Sequence, residues 1–456
     1  GGVYDTADLH PNEQELLKAL VMPQAVRDLG AQSPAIPLDS YRAFWKKAKE
    51  NTSAFPDALS FSTMKAGALS PLISKIECLL TQIPLLSGYS PKRWRKCMDV
   101  MILKKSGVTT LNNLRTVCLF PIDCNYAFKH VGRSMMHTAE CTHSLAPEQY
   151  GSRKRCKATD LAVNKTLTYD IIRQLKRPAG VCSNDAKSCY DLIGHTPASL
   201  SMQRMGAPKP VVDCLFTTLQ NAFHHVRTGF GDSEGSYGGP NWLIPIHGIG
   251  QGNGAGPAIW AVVSTPMLNA LRELGFGFAY VSPISCRLIR FSGFAFVDDT
   301  DLIQLLHSTS SSVDIMTRLQ QAVDKWEGLL SATSGAIVPE KTYWYLIDFC
   351  WQGGTWRYCS IDERPGTLSA LDITGVRKDI RRVEADSAEE TLGIFIAPSG
   401  CMKGEIKKLK KVVQQWIDNL AQGKLSRQEM WTAARSTIWR TLISSSCSQY
   451  LKKSMG

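Results

Sequence analysis

Apolar residues recur along this chain at two different periods, and each period predicts a different element. At helical spacing, Leu215, Phe216, Leu219, Phe223 and Val226 predict one buried stripe. Ile315, Met316, Leu319, Val323, Trp326 and Leu330 predict another, with Ser312 placed to cap its N-terminus. Residues 158–175 and 258–268 carry the same helical pattern. Short apolar runs at 100–103, 117–120 and 179–184 predict strands instead, and 343–359, rich in Tyr, Trp and Phe, reads as a hairpin about Gly353-Gly354. Residues 1–90 divide into short amphipathic helices broken near Pro34, Pro37, Pro56 and Pro71, and beyond residue 401 the chain is again helical. Strands and helices interleave from 181 to 306. The pattern predicts an α+β fold, with strands and helices mixed around one antiparallel sheet.

One stretch departs from plain burial. In Phe291–Leu306, apolar residues lead in and out, and Asp298 and Asp299 sit between them, as carboxylates would at the tip of a β-hairpin. Oxygen ligands on a rigid turn suit Mg²⁺, which is commonly held by one or two carboxylates together with substrate phosphates. A second acid, Asp185, follows the predicted strand 179–184, with Tyr190 and Asp191 shortly after it. Between the two acidic positions lies the glycine-dense loop His247–Pro257, which lets backbone approach a nucleotide or a template strand closely.

Composition narrows the partners. A chain of 456 residues is long enough for two to four domains or lobes. Its net charge of +12 favours a polyanion, most simply nucleic acid. The basic residues cluster at 92–96, 103–105, 153–157, 377–382 and 407–411. The fourteen cysteines include no Cys-x-x-Cys pair and no local Cys/His cluster, so spacing predicts no structural zinc, only reduced and mostly buried thiols of an intracellular protein. No run of about eighteen apolar residues predicts a membrane span.

At this point the residues resemble a family. Asp185-Ala-Lys-Ser-Cys-Tyr-Asp191 resembles the first catalytic motif of reverse transcriptases, closest to the non-LTR retrotransposon and group II intron type. Gln251-Gly-Asn-Gly-Ala-Gly-Pro257 resembles their Gln-Gly-x-x-x-Ser-Pro motif, and Phe296-Val-Asp-Asp299 their Tyr-x-Asp-Asp box. Pro339-Glu-Lys341 resembles the lysine motif that follows, and Leu392-Gly393 the primer-grip turn. Upstream, Leu114–Phe120 and Gln149–Arg153 resemble two fingers segments. The stretches stand in the family's order across roughly residues 91–420. Phe296, Gly256 and Thr116 depart from the family's usual Tyr, Ser and Pro, and none of these departures removes a metal ligand or a charge.

The resemblance implies a right-hand polymerase. Residues 1–90 would be a helical extension, 91–180 the fingers, 181–400 the palm with a fingers segment interleaved at about 200–250, and 401–456 the start of a helical thumb. It implies RNA-directed DNA synthesis by two-metal nucleotidyl transfer, with Asp185, Asp298 and Asp299 holding two Mg²⁺ ions, or Mn²⁺ in their place. Tyr190 would exclude a ribose 2′-hydroxyl. Arg115, Lys104 and Lys105 would clamp the triphosphate, Gln251 and Gly252 would touch the nucleotide or template, and Lys341 would aid the departing pyrophosphate. Asp191 and His195 read as structural. The implied partners are an RNA template, a DNA primer or RNA–DNA hybrid, and dNTPs. Two other readings stay open on the residues alone: an RNA-dependent RNA polymerase, and an inactive palm that only binds nucleic acid.

Overall fold

The computed structural model describes residues 6–57, 59–104, 107–244, 246–282, 284–306 and 310–439. In chain order, the longer strands of its two main sheets and one key hairpin are β1 (Lys96–Leu103), β2 (Leu114–Leu119), β3 (Ala179–Asp185), β4 (Phe223–Thr228), β5 (Gly293–Phe296), β6 (Asp299–Leu305), β7 (Tyr343–Ile347), β8 (Leu368–Leu371), β9 (Arg377–Arg382), β10 (Glu389–Thr391) and β11 (Ile394–Ile396). The chain forms two compact units, each discontinuous in sequence. The first takes the chain up to Ala146, then Lys187–Ala270 and Leu329–Gly335; the second takes Pro147–Ala186, Leu271–Gly328 and the chain from Ala336 on.

In the first unit, β1 pairs antiparallel with β2 and parallel with β4. Helices Pro71–Ser87, Ile122–Cys141 and Lys209–Gln220 bury apolar faces in this unit, among them Leu85, Phe128 and Leu215. Here one expected stripe divides. Its helix ends at Gln220, so Phe223 and Val226 belong to β4, where Lys96 opposes Phe223 and Asp99 opposes Val226. A run of aromatic and β-branched residues suits a strand, and pairing with β1 decides it against a spacing that matched a helix by coincidence.

In the second unit the sheet runs β8-β9-β7-β3-β6-β5. β3 sits inside, antiparallel to both β6 and β7, while β9 runs parallel to β7. Both main sheets are therefore mixed, and the expectation of a single antiparallel sheet does not hold. Being interior, β3 is covered on both faces. Ala179, Val181, Ile303 and Tyr345 form one core with Leu161, Tyr169 and Ile172 of helix Ala158–Leu175. Gly180 admits helix Ser312–Ala332 so closely that a Cβ there would lie 3.0 Å from Ile315 and Leu319. That helix is capped one residue earlier than expected: the Ser311 hydroxyl accepts from the Asp314 amide, and the Asp314 carboxylate accepts from the Ser311 amide at 2.7 Å. The Gly353-Gly354 hairpin forms between Phe349–Gln352 and Thr355–Tyr358, with positive φ at both glycines. Among the described residues no helix is long and apolar enough to cross a membrane.

Candidate active site

The antiparallel register of the second unit brings acids together. Asp299, the first residue of β6, stands opposite Asp185, the last residue of β3, and also opposite Phe296 at the end of β5. Val297 and Asp298 form the two-residue loop joining β5 to β6. Directly opposed residues in an antiparallel pair have Cα atoms about 4.5–5.5 Å apart, so two carboxylates from distant parts of the chain share one sheet edge, with a third in the adjoining loop.

The loop is held from outside the hairpin. Val297 takes φ +58°, a conformation that a β-branched residue adopts only under constraint. Its amide donates to Gln149 Oε1 at 3.0 Å, and the Gly151 amide donates to the same oxygen at 2.9 Å. Tyr150 N donates to Ala295 O at 2.7 Å, and Ala295 N donates to Glu148 O at 2.8 Å, so Glu148–Tyr150 lies along β5. The buried Glu148 carboxylate accepts two bonds from Arg272 and one from Ser292 N, each at 3.0 Å. Gly151 is required here, because a Cβ on it would stand 2.3 Å from the Val297 nitrogen.

Two lysines balance the acids. Lys341 Nζ donates to Asp185 Oδ2 at 2.5 Å. The backbone fixes its position: Val338 N donates to Asp185 O at 3.0 Å, and Lys341 N donates back to Val338 O. Lys165, from helix Ala158–Leu175, is almost wholly buried and donates to Asp301 at 3.0 Å and to the Thr391 hydroxyl at 2.9 Å. Burial alone would lower its pKa, but Asp301 beside it, with Tyr343 and Asp299 farther off, holds it above the ordinary value. Because side chains alternate along a strand, Asp299 and Asp301 project to one face of β6, with Asp185 and Ser183 opposite them. On the other face, Asn184 donates to Thr300 O at 2.7 Å and accepts from Trp326 Nε1 at 2.9 Å.

Asp185, Asp299, Asp301 and Leu392 line a cavity of about 230 Å³ with Lys341 and Tyr343. Desolvation, then the charges of Asp298, Asp185 and Asp301, push the Asp299 carboxyl up to about 6. Leu392 and Gly393 join β10 to β11 as a two-residue turn with φ of +50° and +85°. Lys165 therefore ties this turn, through Thr391, to the acidic strand. The donors facing the cavity are carboxylate oxygens crowded enough to raise one of their pKa values, and an ammonium already stands where a cation relieves them. That set fits Mg²⁺.

The remaining expected residues lie in the first unit. Arg115 is exposed on β2 opposite Ile102, and Lys104 is exposed with its amide bonded to Asn113 O. Lys105 lies outside the described residues. Tyr190 is half-buried against Gly256, where a Cβ would meet its ring at the ordinary distance of 3.6 Å. Gly252, with φ +113°, allows the loop to press on β2: a Cβ would stand 2.3 Å from Cys118 O, and Cys118 N donates to Gln251 O at 2.6 Å. Asp191 accepts from Gln251 Nε2 at 3.4 Å, and His195 Nε2 lies 2.7 Å from Gly248 O. Burial lowers the His195 pKa and raises that of Asp191.

Reading the sequence missed Lys165, Asp301 and Thr391. The first carried a signal: Leu161, Ala162, Lys165, Tyr169 and Ile172 share one helical face, and a single charge inside an apolar stripe implies a buried partner. No family model matches this chain, and none of the curated proteins matches it.

Proposed function

We propose that this chain is a template-directed DNA polymerase of the reverse-transcriptase type, extending a primer 3′-hydroxyl from dNTPs. The observation that carries the reading is the register that sets Asp299 against Asp185 at one sheet edge, with Asp298 in the adjoining two-residue loop. Asp185, Asp298 and Asp299 would hold divalent cations, whose chemistry when bound is to neutralise phosphate charge and acidify the attacking hydroxyl. The protein's own part is positional. Gln149 fixes the loop that bears Asp298, and Lys165 fixes Asp301 and the Leu392-Gly393 turn that would grip the primer. Lys341 neutralises Asp185, and with a cation held there its ammonium would be free to meet the triphosphate. Positioning and electrostatics of this kind supply most of the rate in phosphoryl transfer.

Helix Lys403–Gln422 supports a nucleic-acid partner. Lys403, Lys407 and Lys410 recur at helical spacing and are exposed, while its buried Glu405 accepts from Phe395 N at 2.8 Å and anchors the helix. Such lysines contact phosphates and position a duplex without reading its sequence. Arg115, Tyr190, Gln251 and Gly252 enter the proposal through the family resemblance, as nucleotide-binding residues.

The test is primer extension by purified protein on matched RNA and DNA templates, with dNTPs and NTPs offered separately. The expected result is Mg²⁺-dependent dNTP incorporation on RNA that Asp298→Asn abolishes while template binding persists. Incorporation of NTPs alone would assign the chain to RNA synthesis. Absence of any extension, or equal extension by Asp298→Asn, would overturn the assignment of the acids.

A further inference from the structure

The first unit contains a second convergence of ligand-type side chains. In the register of its sheet, Cys97 of β1 stands opposite His224 of β4, and Asp99 of β1 stands opposite Cys118 of β2. Residues two apart on a strand share a face, and so do directly opposed residues, so all four side chains project from one side of the sheet. The two sulfurs and a ring nitrogen of His224 lie within 4.8 Å of one another. Cys97 Sγ is 3.3 Å and Asp99 Oδ2 is 3.0 Å from the same atom, Nδ1 of His224. Spacing along the chain predicted no such site. Residues 97, 118 and 224 become neighbours only through strand pairing.

Hydrogen bonding leaves part of this group poorly served. An imidazole nitrogen carries either one hydrogen or one lone pair, so Nδ1 can serve Cys97 or Asp99 well, but not both. Asp99 is 1 % exposed, and its Oδ1 is buried without a hydrogen-bond partner. A buried carboxylate oxygen left unpaired is costly. A central cation would resolve the contest at Nδ1, because both sulfurs and the nitrogen would then point lone pairs at one centre.

We propose that Cys97, Cys118 and His224 form the core of a structural site for a thiophilic divalent cation of the zinc class, with Asp99 set against His224. Thiolate and imidazole select such an ion over Mg²⁺. Zn–S bonds of about 2.3 Å and Zn–N bonds of about 2.0–2.1 Å put a tetrahedral sulfur and nitrogen roughly 3.5 Å apart, close to the 3.3 Å between Cys97 Sγ and Nδ1. The surroundings fit a closed structural site. Cys97 and Cys118 are buried, and the Tyr237 ring stacks on His224 with centroids 5.0 Å apart. The Tyr237 hydroxyl donates to Asp99, which stands against the His224 ring, an outer contact of the kind that orients a metal ligand. The bound ion would clamp β1, β2 and β4 together. Through Cys118, whose amide holds Gln251 O, it would also brace the glycine loop.

The test is reconstitution of the full chain with Co²⁺ after chelation. The expected result is one equivalent bound, with thiolate-to-cobalt charge-transfer bands and the d–d bands of tetrahedral coordination, both displaced by Zn²⁺. Cys350, half-buried in a second thiol group with Cys359 and Glu363, supplies the control. Bands that survive Cys350→Ser and disappear in Cys97→Ser or Cys118→Ser support the site. If those two variants do not fold, His224→Gln, which keeps both thiols, decides: altered or lost bands support the site, and bands identical to the parent's overturn it. Parent protein without thiolate–cobalt bands, or bands lost in Cys350→Ser, would overturn the proposal. The Mg²⁺-dependent extension assay is read separately and bears on the acids alone.

Discussion

The acidic cluster of the second unit and the thiol cluster of the first are built by the same device and suited to opposite chemistry. Each uses sheet register to align side chains from distant parts of the chain. Asp185 and Asp299 stand at strand ends lining a cavity, Asp298 stands in the adjoining loop, and all offer only hard oxygen donors. The thiols stand within a sheet, closed off by Tyr237, and offer sulfur and nitrogen. A cation among the acids can keep water and exchange substrate phosphates, whereas one among the thiols would be enclosed. Donor type and access therefore separate a candidate catalytic centre from a candidate structural one, although both arise from residues paired across strands.

The largest effect that sharpens this contrast is on activity. On the proposed function, Asp299→Asn or Asp185→Asn should lower primer extension by at least about 10²–10³-fold, since each would remove a charge that holds the cation. Either variant should leave Co²⁺ binding by the thiols unchanged. Steady-state extension and cobalt absorbance on the same preparations check both halves, and a variant that lost both would break the distinction.

Next in size is the buried pair that supports the acids. Lys165→Met should destabilise the protein by about 3–5 kcal/mol, because it strands the Asp301 carboxylate, which is 5 % exposed. Adding Asp301→Leu should recover most of the loss, since an apolar pair can replace a buried ion pair at little cost. Denaturant titration of the single and double variants measures the difference. No recovery in the double variant would mean that the pair acts through Thr391 rather than through charge.

On the thiol side, Gly252→Ala should cost about 1–3 kcal/mol, because φ +113° and an approach of 2.3 Å to Cys118 O both exclude a side chain. The same titration measures it, and a neutral outcome would show that the loop does not bear on β2. Tyr190→Ala should leave stability nearly unchanged. If Tyr190 gates the sugar, it should raise ribonucleotide incorporation at least about tenfold, a change of roughly 1.4 kcal/mol in discrimination. Unchanged sugar selectivity would remove Tyr190 from that role.

The smallest effect is on pH dependence. The Asp299 carboxyl is raised from 3.8 to about 6, so the metal-free folded state binds its proton more readily than the unfolded chain does. Its contribution to stability is then fully present below about pH 4 and is lost as pH rises through about 6. Thermal melts in chelator should show this slope, and Asp299→Asn should flatten it by a few degrees at most. Mg²⁺ should restore stability at neutral pH. A parent slope identical to that of the variant would remove Asp299 from the crowded cluster.

Much of the second unit was legible in the sequence. The strand before Asp185, the hairpin bearing Asp298 and Asp299, the helix Ala158–Leu175 and the turn at Gly353-Gly354 each follow from local pattern, because a few residues at one spacing carry the whole signal. Legibility failed where local pattern and pairing disagreed. Phe223 and Val226 matched a helix and became a strand once β1 was there to pair with. The helix cap fell on Ser311 because Asp314, three residues on, completes the reciprocal bonds. Lys165 announced a buried partner without naming it.

The sequence alone determined which residues could carry chemistry: paired acids at a turn, a close-packed glycine loop, and a surplus of positive charge. Tertiary structure decided which of them meet. It set Asp185 against Asp299 and Lys341 against Asp185, and it gathered Cys97, Cys118, His224 and Asp99 on one sheet face. The physical reason is range. Turn and helix preferences act over a few residues, whereas strand register is set by packing both faces of a sheet and fixes neighbours at any distance along the chain.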